Sequence, residues 1–312
     1  MAQLSRPKTP QSATRLTPQR AVLALRRHGG AYLYLLPAIV LFLLFSWYPI
    51  VSGFVISFQN IDLISGENAF VGLANFETVL ADPLFFRAWG NTLYFVFLGL
   101  VMGYLLPVVL AIAINEMYHG KAYFRLAFYL PVILPPMVSV LLWKWFFDPG
   151  MGLMNLALGV LGIEPQQWIY SAASAMPSLV LMSTWANVGG TVLLYLAALQ
   201  GVPASLYESA ELEGASVWAR IRHILFPQIR GVMAIMFLLQ IIGTIQVFTE
   251  PFVMTDGGPA YSTLTVMQIL YNYAFRYYDF GSASAIGLLL FGVLAAFSLL
   301  YMRVNKTANG GT

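Results

Sequence analysis

Residues able to do chemistry unaided are scarce in this chain. Cysteine is absent, and the only histidines, His28, His119 and His223, stand in different polar segments. A disulfide framework and a thiolate nucleophile are excluded, and nothing brings ligands together for zinc. Charge, helix punctuation and ordered spacing converge in one place, Tyr207-Glu208-Ser209-Ala210-Glu211-Leu212-Glu213-Gly214-Ala215, followed by Ile224-Leu225-Phe226-Pro227. The chemistry of such a stretch is contact rather than catalysis, because it sets acids on a short polar helix between two apolar runs.

The elements that position these residues follow from local rules. Ser205 and Glu208 fit the S-x-x-E capping box, Pro203 suits a helix start, and Gly214 can take the left-handed conformation that closes a helix. The pattern predicts a helix over about 204–213. Ser216 is a second candidate cap, and Val217, Ile221, Ile224 and Leu225 recur at helical spacing, with Arg220, Arg222 and His223 on the other side. A short helix, a glycine turn and a second helix are expected.

Composition says what surrounds this loop. At 312 residues, 59% apolar, 9% charged and with mean hydropathy +0.74, the chain has too little polar surface to coat a soluble globule. Apolar windows long enough to cross a bilayer fall near 32–57, 88–114, 125–147, 174–199, 229–250 and 281–302. The net charge of +3 does not indicate nucleic acid, since the basic residues are not clustered with aromatics on a polar domain. All Lys and Arg except Arg87, Lys144 and Arg276 lie in the N-terminal tail, the 115–125 loop, the 200–230 loop or the C-terminus. By the positive-inside rule both termini and the Glu208 loop are cytoplasmic. Residues 1–30 read as a basic, largely disordered tail, with Ala21–Arg27 a short basic surface helix, and 303–312 read as a C-terminal tail.

No Lys, Arg, Asp or Glu lies near the middle of any span, which favours an uncharged solute over a charged one. The fifth span offers Gln240 and Thr244 on one helical face, with Gln246 displaced from it. The fourth offers Ser183, Thr184, Trp185, Asn187 and Thr191. These side chains either line a path or hydrogen-bond helix to helix, and the residues alone leave both open. Gly99-x3-Gly103 and Ala283-x3-Gly287 are small-residue pairs that let helices approach. Pro131 and Pro135 should kink the third span, whose freed backbone groups would place it centrally in the bundle. Leu153 to Leu161 is apolar but too short to span, so it is expected along the surface. Thr255-Asp256-Gly257-Gly258-Pro259 is a turn whose glycines either approach another surface or simply tighten a loop. Glu250 is either an interfacial acid facing a partner protein or an ion-pair partner for Arg276, the pair being favoured, and Lys144 is expected to reach the outer headgroups between Trp143 and Trp145.

The order E-x-A-x3-G-x9-I-x-x-P over Glu208, Ala210, Gly214, Ile224 and Pro227 resembles the EAA loop of permease subunits of ATP-binding-cassette importers. Ser209, Glu213 and Phe226 depart from the usual Ala, Asp and Leu but keep small, acidic or apolar character. Gly72-Leu73-Ala74-Asn75-Phe76, Asn91-Thr92, Phe128-Tyr129-Leu130-Pro131 with Trp143, Gly152-Leu153-Met154-Asn155 and Thr184-Trp185 resemble binding-protein-dependent sugar permeases. The Thr255 to Pro259 turn is similar to the larger of the paired permeases in maltose-type and glycerol-3-phosphate-type importers.

The resemblance implies an all-α polytopic membrane protein in the bacterial cytoplasmic (inner) membrane. Its permease domain over 31–302 has six transmembrane helices and a cytoplasmic coupling-helix loop, 200–228, between spans 4 and 5. It implies four partners besides lipid: a second six-span permease, two copies of a cytoplasmic ATPase and an extracytoplasmic sugar-binding protein. Tyr207, Glu208, Ala210, Glu213, Gly214, Ala215 and Pro227 would then couple to the ATPase, with Glu208 paired to a basic residue in its cleft. Ser183, Trp185, Asn187, Gln240 and Thr244 become the candidate substrate residues, and Gly257, Gly258 and Pro259 the contact to the binding protein.

This chain binds no cofactor of its own in that reading; ATP and Mg belong to the partner ATPase. Its single Gly-Lys pair, Gly120-Lys121, is followed by Ala122 and lacks the upstream glycine of a phosphate loop. The sequence is thus read as a non-enzymatic subunit importing a neutral carbohydrate by alternating access. Rivals are an importer of glycerol-3-phosphate, a phosphodiester or a related polyol, and an ion-coupled secondary transporter, which would need membrane-embedded carboxylates. An intramembrane enzyme lacks its motifs here, with no H-E-x-x-H and no G-x-S-x-G.

Overall fold

In this chain the long helices begin, bend and end at residues that give the backbone a reason to do so. The computed structural model describes residues 33–62, 66 and 68–309. The tail expected over 1–30, with its helix at Ala21–Arg27, lies outside the described residues. The chain divides into two units, Met1–Gly53 and Phe54–Thr312. Helix α1 (Leu33–Ile56) supplies the described part of the first; it is 24 residues long, with mean hydropathy 2.2 in its apolar window. That length crosses the hydrocarbon core of a bilayer.

The second unit is almost wholly helical, with one exception to the all-α expectation. Strands β1 (Gln59–Ile61) and β2 (Asn68–Phe70) form an antiparallel hairpin, Asn60 opposite Ala69. Helix α2 (Ala74–Ala81) fastens it through buried Asn75, whose Nδ2 donates to the carbonyls of Ser57 and Gln59, each at 2.9 Å. Asp82 then caps α3 (Pro83–Glu116), accepting from the Leu84 N–H at 2.8 Å with Pro83 in the first turn. The second span therefore starts five residues before its apolar window, at a cap rather than at a change of hydropathy.

The third span is broken. Helices α4 (Lys121–Ile133) and α5 (Pro136–Phe146) meet at 99°. Leu134 precedes a proline and is extended, ψ 136°, because the ring of Pro135 disfavours helical geometry in the residue before it. The kink expected at Pro131 and Pro135 is thus a full break at Leu134-Pro135. The expected central position is not found: within α4 only Pro131 is buried, while Leu126, Leu130 and Ile133 are exposed. The centre belongs to α7 (Ala175–Gln200), half of whose apolar window is buried, the largest share of any long helix described.

Helix α4 can lie on α7 because of one residue. A Cβ at Gly189 would fall on the Phe128 carbonyl oxygen, so only hydrogen lets the two backbones meet there. Beyond α5, the apolar segment expected at the surface is helix α6 (Leu153–Val160). Buried Asn155 ties it down, donating to the Pro149 and Gln166 carbonyls at 3.0 Å and accepting from the Trp168 indole at 2.8 Å. The remaining elements are α8 (Ala204–Leu212), α9 (Val217–Ile245), α10 (Val266–Tyr271) and α11 (Phe280–Asn309). Helix α11 runs through most of the expected C-terminal tail. Among the described residues five helices are long and apolar enough to cross a membrane, or six if α4 and α5 count as one broken span.

Gly189 and its neighbour give a matched test of the packing. Gly189→Ala should lower stability by about 1–3 kcal/mol, the usual range for overpacking. Gly190→Ala, whose Cβ would meet only a Val132 methyl at 4.0 Å, should be near neutral. Thermal unfolding of the detergent-solubilised chain measures both, and equal midpoints would show that the α4–α7 contact does not control the fold.

Candidate functional site

Two constructions stand out, a polar handle at one end of the helices and a cavity between them, and helix α9 belongs to both. The handle begins at α8. Its N-cap is Pro203, with no side-chain cap, so the expected Ser205–Glu208 box does not form. Proline takes the cap position because its fixed φ already suits the turn, which leaves Ser205 inside the helix. The C-terminus closes as foreseen: Gly214 has φ +74°, its N–H donates to Glu211 O at 3.0 Å, and the Ala215 N–H donates to Ala210 O at 2.8 Å. Those two bonds make a Schellman closure. Ser216 then caps α9, accepting from the Ala219 N–H at 3.2 Å.

The second helix of the loop and the fifth span are one element. Pro227 does not punctuate it but lies exposed within it, because a π-turn over Ile221–Leu225 passes the Phe226 N–H back to Ile221 O. A π-turn absorbs the donor that proline lacks. At about 1.5 Å per residue, Arg220 and Gln240 are then about 30 Å apart on one rigid rod.

The back of α8 is pinned. Arg220, whose side chain is only 13% exposed, donates to Glu211 Oε1 at 2.8 Å and lies 3.6 Å from Glu116 Oε2, joining α9, α8 and the end of α3. Tyr207 is half-buried and accepts from Asn115 Nδ2 at 3.3 Å, while Lys121 Nζ donates to Asn115 O at 2.7 Å. Burial first, and then the Glu116 carboxylate, push the Tyr207 phenol above its ordinary pKa. Ala210 is buried and Ala215 half-buried; Glu208, Glu213 and Gly214 face outward with Leu212 and Trp218. Sequence reading missed the Arg220, Glu116 and Asn115 anchors. Their separations follow no helical period, so only the opposite charges of Arg220 and Glu211 hinted at them.

The cavity holds about 850 Å³ between α3, α4, α7 and α9, within the range of about 300–1,000 Å³ usual for small-molecule sites. Its polar wall is Ser183, Thr184, Asn187 and Thr191 from α7, Gln240 and Thr244 from α9, and Gln246, Thr249 and Glu250 from the chain just beyond it; Tyr129 and Phe248 add aromatic surface. Gly99 and Gly103 are more than a packing pair. A Cβ on Gly103 would lie 3.0 Å from Gln240 Nε2, and one on Gly99 3.1 Å from the Thr244 methyl. Gln240 Nε2 donates to Gly99 O at 3.4 Å. The glycines make room for exactly those two side chains. Gln246 joins the wall because α9 ends at Ile245 and the chain turns there.

Other expectations are corrected. Trp185 turns away from the cavity and packs on Trp143, with ring centroids 5.5 Å apart. Arg276 pairs with Asp256 at 2.7 Å rather than with Glu250, and that bond raises its pKa. Glu250 instead lines the cavity. Lys144, which is exposed, donates its Nζ to Val253 O at 3.2 Å, which fastens α5 to the turn at Pro251–Thr255.

The Thr255 to Pro259 turn is first an internal fixture. Gly257, φ +81°, is buried under Gln268 and Leu264, while Gly258 and Pro259 are half-buried. Asn91 Nδ2 donates to Tyr261 O at 2.7 Å and Leu264 O at 2.9 Å, and Thr92 Oγ1 accepts from the Val266 N–H at 3.1 Å. The Tyr273 hydroxyl donates to Asp82 Oδ2 at 3.0 Å, and its pKa is pushed up to about 12 by burial and by that carboxylate.

With this geometry in place, known proteins can be compared. Residues 103–308 match the family described as binding-protein-dependent transport system inner membrane component. An arabinooligosaccharides transport system permease protein, AraP of Bacillus subtilis (strain 168), is 33% identical over 287 residues, covering 91% of each chain. A trehalose/maltose transport system permease protein, MalF of Thermococcus litoralis, is 30% identical over 275 residues, covering 88% of this chain and 93% of that protein. A crystal structure of a bacterial ABC transporter involved in import of the acidic polysaccharide alginate contains a chain of the same fold. It has TM-score 0.84 and 24% identity over 93% of this chain and 99% of that one.

The Arg220 clamp predicts unequal costs. Arg220→Ala strips the half-buried Glu116 of its partner and should cost about 1–3 kcal/mol. Glu211→Gln, at a side chain 63% exposed, should cost under about 1 kcal/mol. Thermal unfolding of both variants checks the order, and a larger loss for Glu211→Gln would contradict the clamp.

Proposed function

This chain belongs to the binding-protein-dependent transport system inner membrane components, transport subunits rather than enzymes, and on that premise we propose that it imports a neutral carbohydrate. Transport would be driven by a separate ATPase through alternating access. The observation that carries this reading is the continuity of α9, which presents Arg220 to the handle and Gln240 and Thr244 to a hydrogen-bonding cavity whose lining carries one charged side chain, Glu250. A partner moves a conformational equilibrium only through contacts that differ between states. A rod gripped at one end and lining the path at the other supplies that link.

In this proposal α4 and α5 count as one broken span, making six, and the distribution of Lys and Arg puts both termini and α8 in the cytoplasm. The exposed face of α8, with Glu208, Leu212 and Glu213, sits in a cleft of one of two ATP-binding-cassette ATPase copies, and ATP and Mg stay on that partner. A second six-span permease completes the path, this chain being the larger of the two. An extracytoplasmic binding protein docks near Gly258 and Pro259, Gly257 being withdrawn. A sugar suits the cavity because amides and hydroxyls both donate and accept, as sugar hydroxyls do, beside the aromatic surfaces of Tyr129 and Phe248. The arabinooligosaccharide and trehalose/maltose relatives support this choice of cargo.

Reconstitution with the ATPase, second permease and binding protein in proteoliposomes tests the scheme. Glu208→Lys and Gly214→Pro should insert normally yet lose transport-coupled ATP hydrolysis, since proline cannot adopt the φ of +74° at position 214. Gln240→Ala should cut sugar uptake by about tenfold or more, equivalent to about 1.4 kcal/mol of lost binding, with the complex still assembled. Normal uptake by Glu208→Lys or Gly214→Pro would refute the coupling role of α8.

A further inference from the structure

Glu250 is the only acidic or basic side chain among the described residues lining the main cavity. It also lines a second pocket of about 270 Å³ at the α4–α5 break, and Val132, Asn187 and Thr249 share both linings with it. It therefore sits where the two spaces meet.

A carboxylate in such a place usually has a structural duty, and each ordinary one is taken by another group. Arg276 is held by Asp256 at 2.7 Å, Lys144 donates to Val253 O at 3.2 Å, and Arg87 donates to Ala260 O at 2.6 Å. These are the three cations that the distribution of charge puts on the Glu250 side of the chain. Glu250 precedes the π-turn at Pro251–Thr255 but makes no side-chain cap to it. Among the described residues it has no hydrogen bond or ion pair, although it is half-buried.

We propose that Glu250 is a charge filter that fixes the class of cargo, admitting neutral and amino-bearing carbohydrates while rejecting uronates and phosphorylated sugars. This deepens the carbohydrate reading and rests on it. The remaining polar wall, Asn187, Gln240, Gln246 and the threonines, offers donors and acceptors alike, whereas a carboxylate only accepts. It can take two hydrogen bonds from a diol or one strong bond from an ammonium group, and has nothing to give an anion. In a cleft with low-dielectric walls its field is focused and only partly screened, so one charge discriminates.

The absence of cysteine makes the filter measurable without knowing the sugar. Single reporters Asn187→Cys and Gln246→Cys are made with Glu250, Glu250→Asp or Glu250→Gln in the full-length chain in membrane vesicles. Each is reacted with 2-(trimethylammonium)ethyl and 2-sulfonatoethyl methanethiosulfonate, and labelling of this chain is followed by mass. Going from Glu250 to Glu250→Gln, the ratio of cationic to anionic rate should fall about tenfold, the factor expected for a unit charge several ångström away under partial screening. Glu250→Asp should keep most of the ratio, and the exposed reporter Leu212→Cys on α8 should show no change. A ratio at both cavity reporters that stays within twofold in Glu250→Gln, or that shifts equally at Leu212→Cys, would overturn the filter. So would reporters inaccessible to either reagent. Labelling needs no transport, so a failure of sugar import would sink the carbohydrate reading and leave these ratios standing.

Discussion

Lipid offers a helix neither hydrogen bonds nor a reason to hide leucine from leucine, so close van der Waals approach must hold the helices together. In this chain that approach is granted by hydrogen atoms at a few positions. Gly189 lets α4 rest on α7 at the Phe128 carbonyl, and Gly99 and Gly103 let α3 face the Gln240 and Thr244 side chains of α9. The first closes a contact and the second opens a space. On that side of the cavity α3 gives up two side chains where α9 carries polar ones.

The same economy makes α9 a single part. A proline at 227 would ordinarily end or kink a helix, and a π-turn over Ile221–Leu225 carries the axis past it. Arg220, gripped by Glu211 and Glu116, and Gln240, bonded to the Gly99 carbonyl, therefore move together. A handle on a separate helix joined by a loose linker would dissipate the motion that the proposed coupling requires of this rod. The anchors behind α8 leave its outer face, with Glu208 and Leu212, free for a partner.

At the other end of the helices the turns are fixed by side chains reaching to backbone carbonyls. Asn91, Arg87 and Lys144 each donate to a carbonyl in the segment after α9, and Asp256 gathers Arg276 and Gln268. These bonds engage Arg87, Lys144 and Arg276 and leave the Glu250 carboxylate facing the proposed path. The specificity proposed for the site thus comes from how charges are shared out, since the side chains of the wall are otherwise uncharged.

Periodicity and punctuation made much of this legible beforehand. Apolar runs located the long helices, Gly214 and Ser216 marked the turn after α8, Pro135 announced the break in the third span, and the EAA spacing pointed to the family. Gln240, Thr244 and Asn187 were singled out as polar residues in apolar spans, although the sequence could not tell lining from packing. What it determined is whatever a window of a few residues decides: which stretches are helical, where they cap, and which are too apolar for water. The direction each polar side chain takes was decided by tertiary structure alone. Trp185 turned to Trp143, Arg276 chose Asp256 over Glu250, and Arg220 found Glu116 far away along the chain. Those choices depend on distances between separate helices, and such distances are set by where small residues let backbones meet.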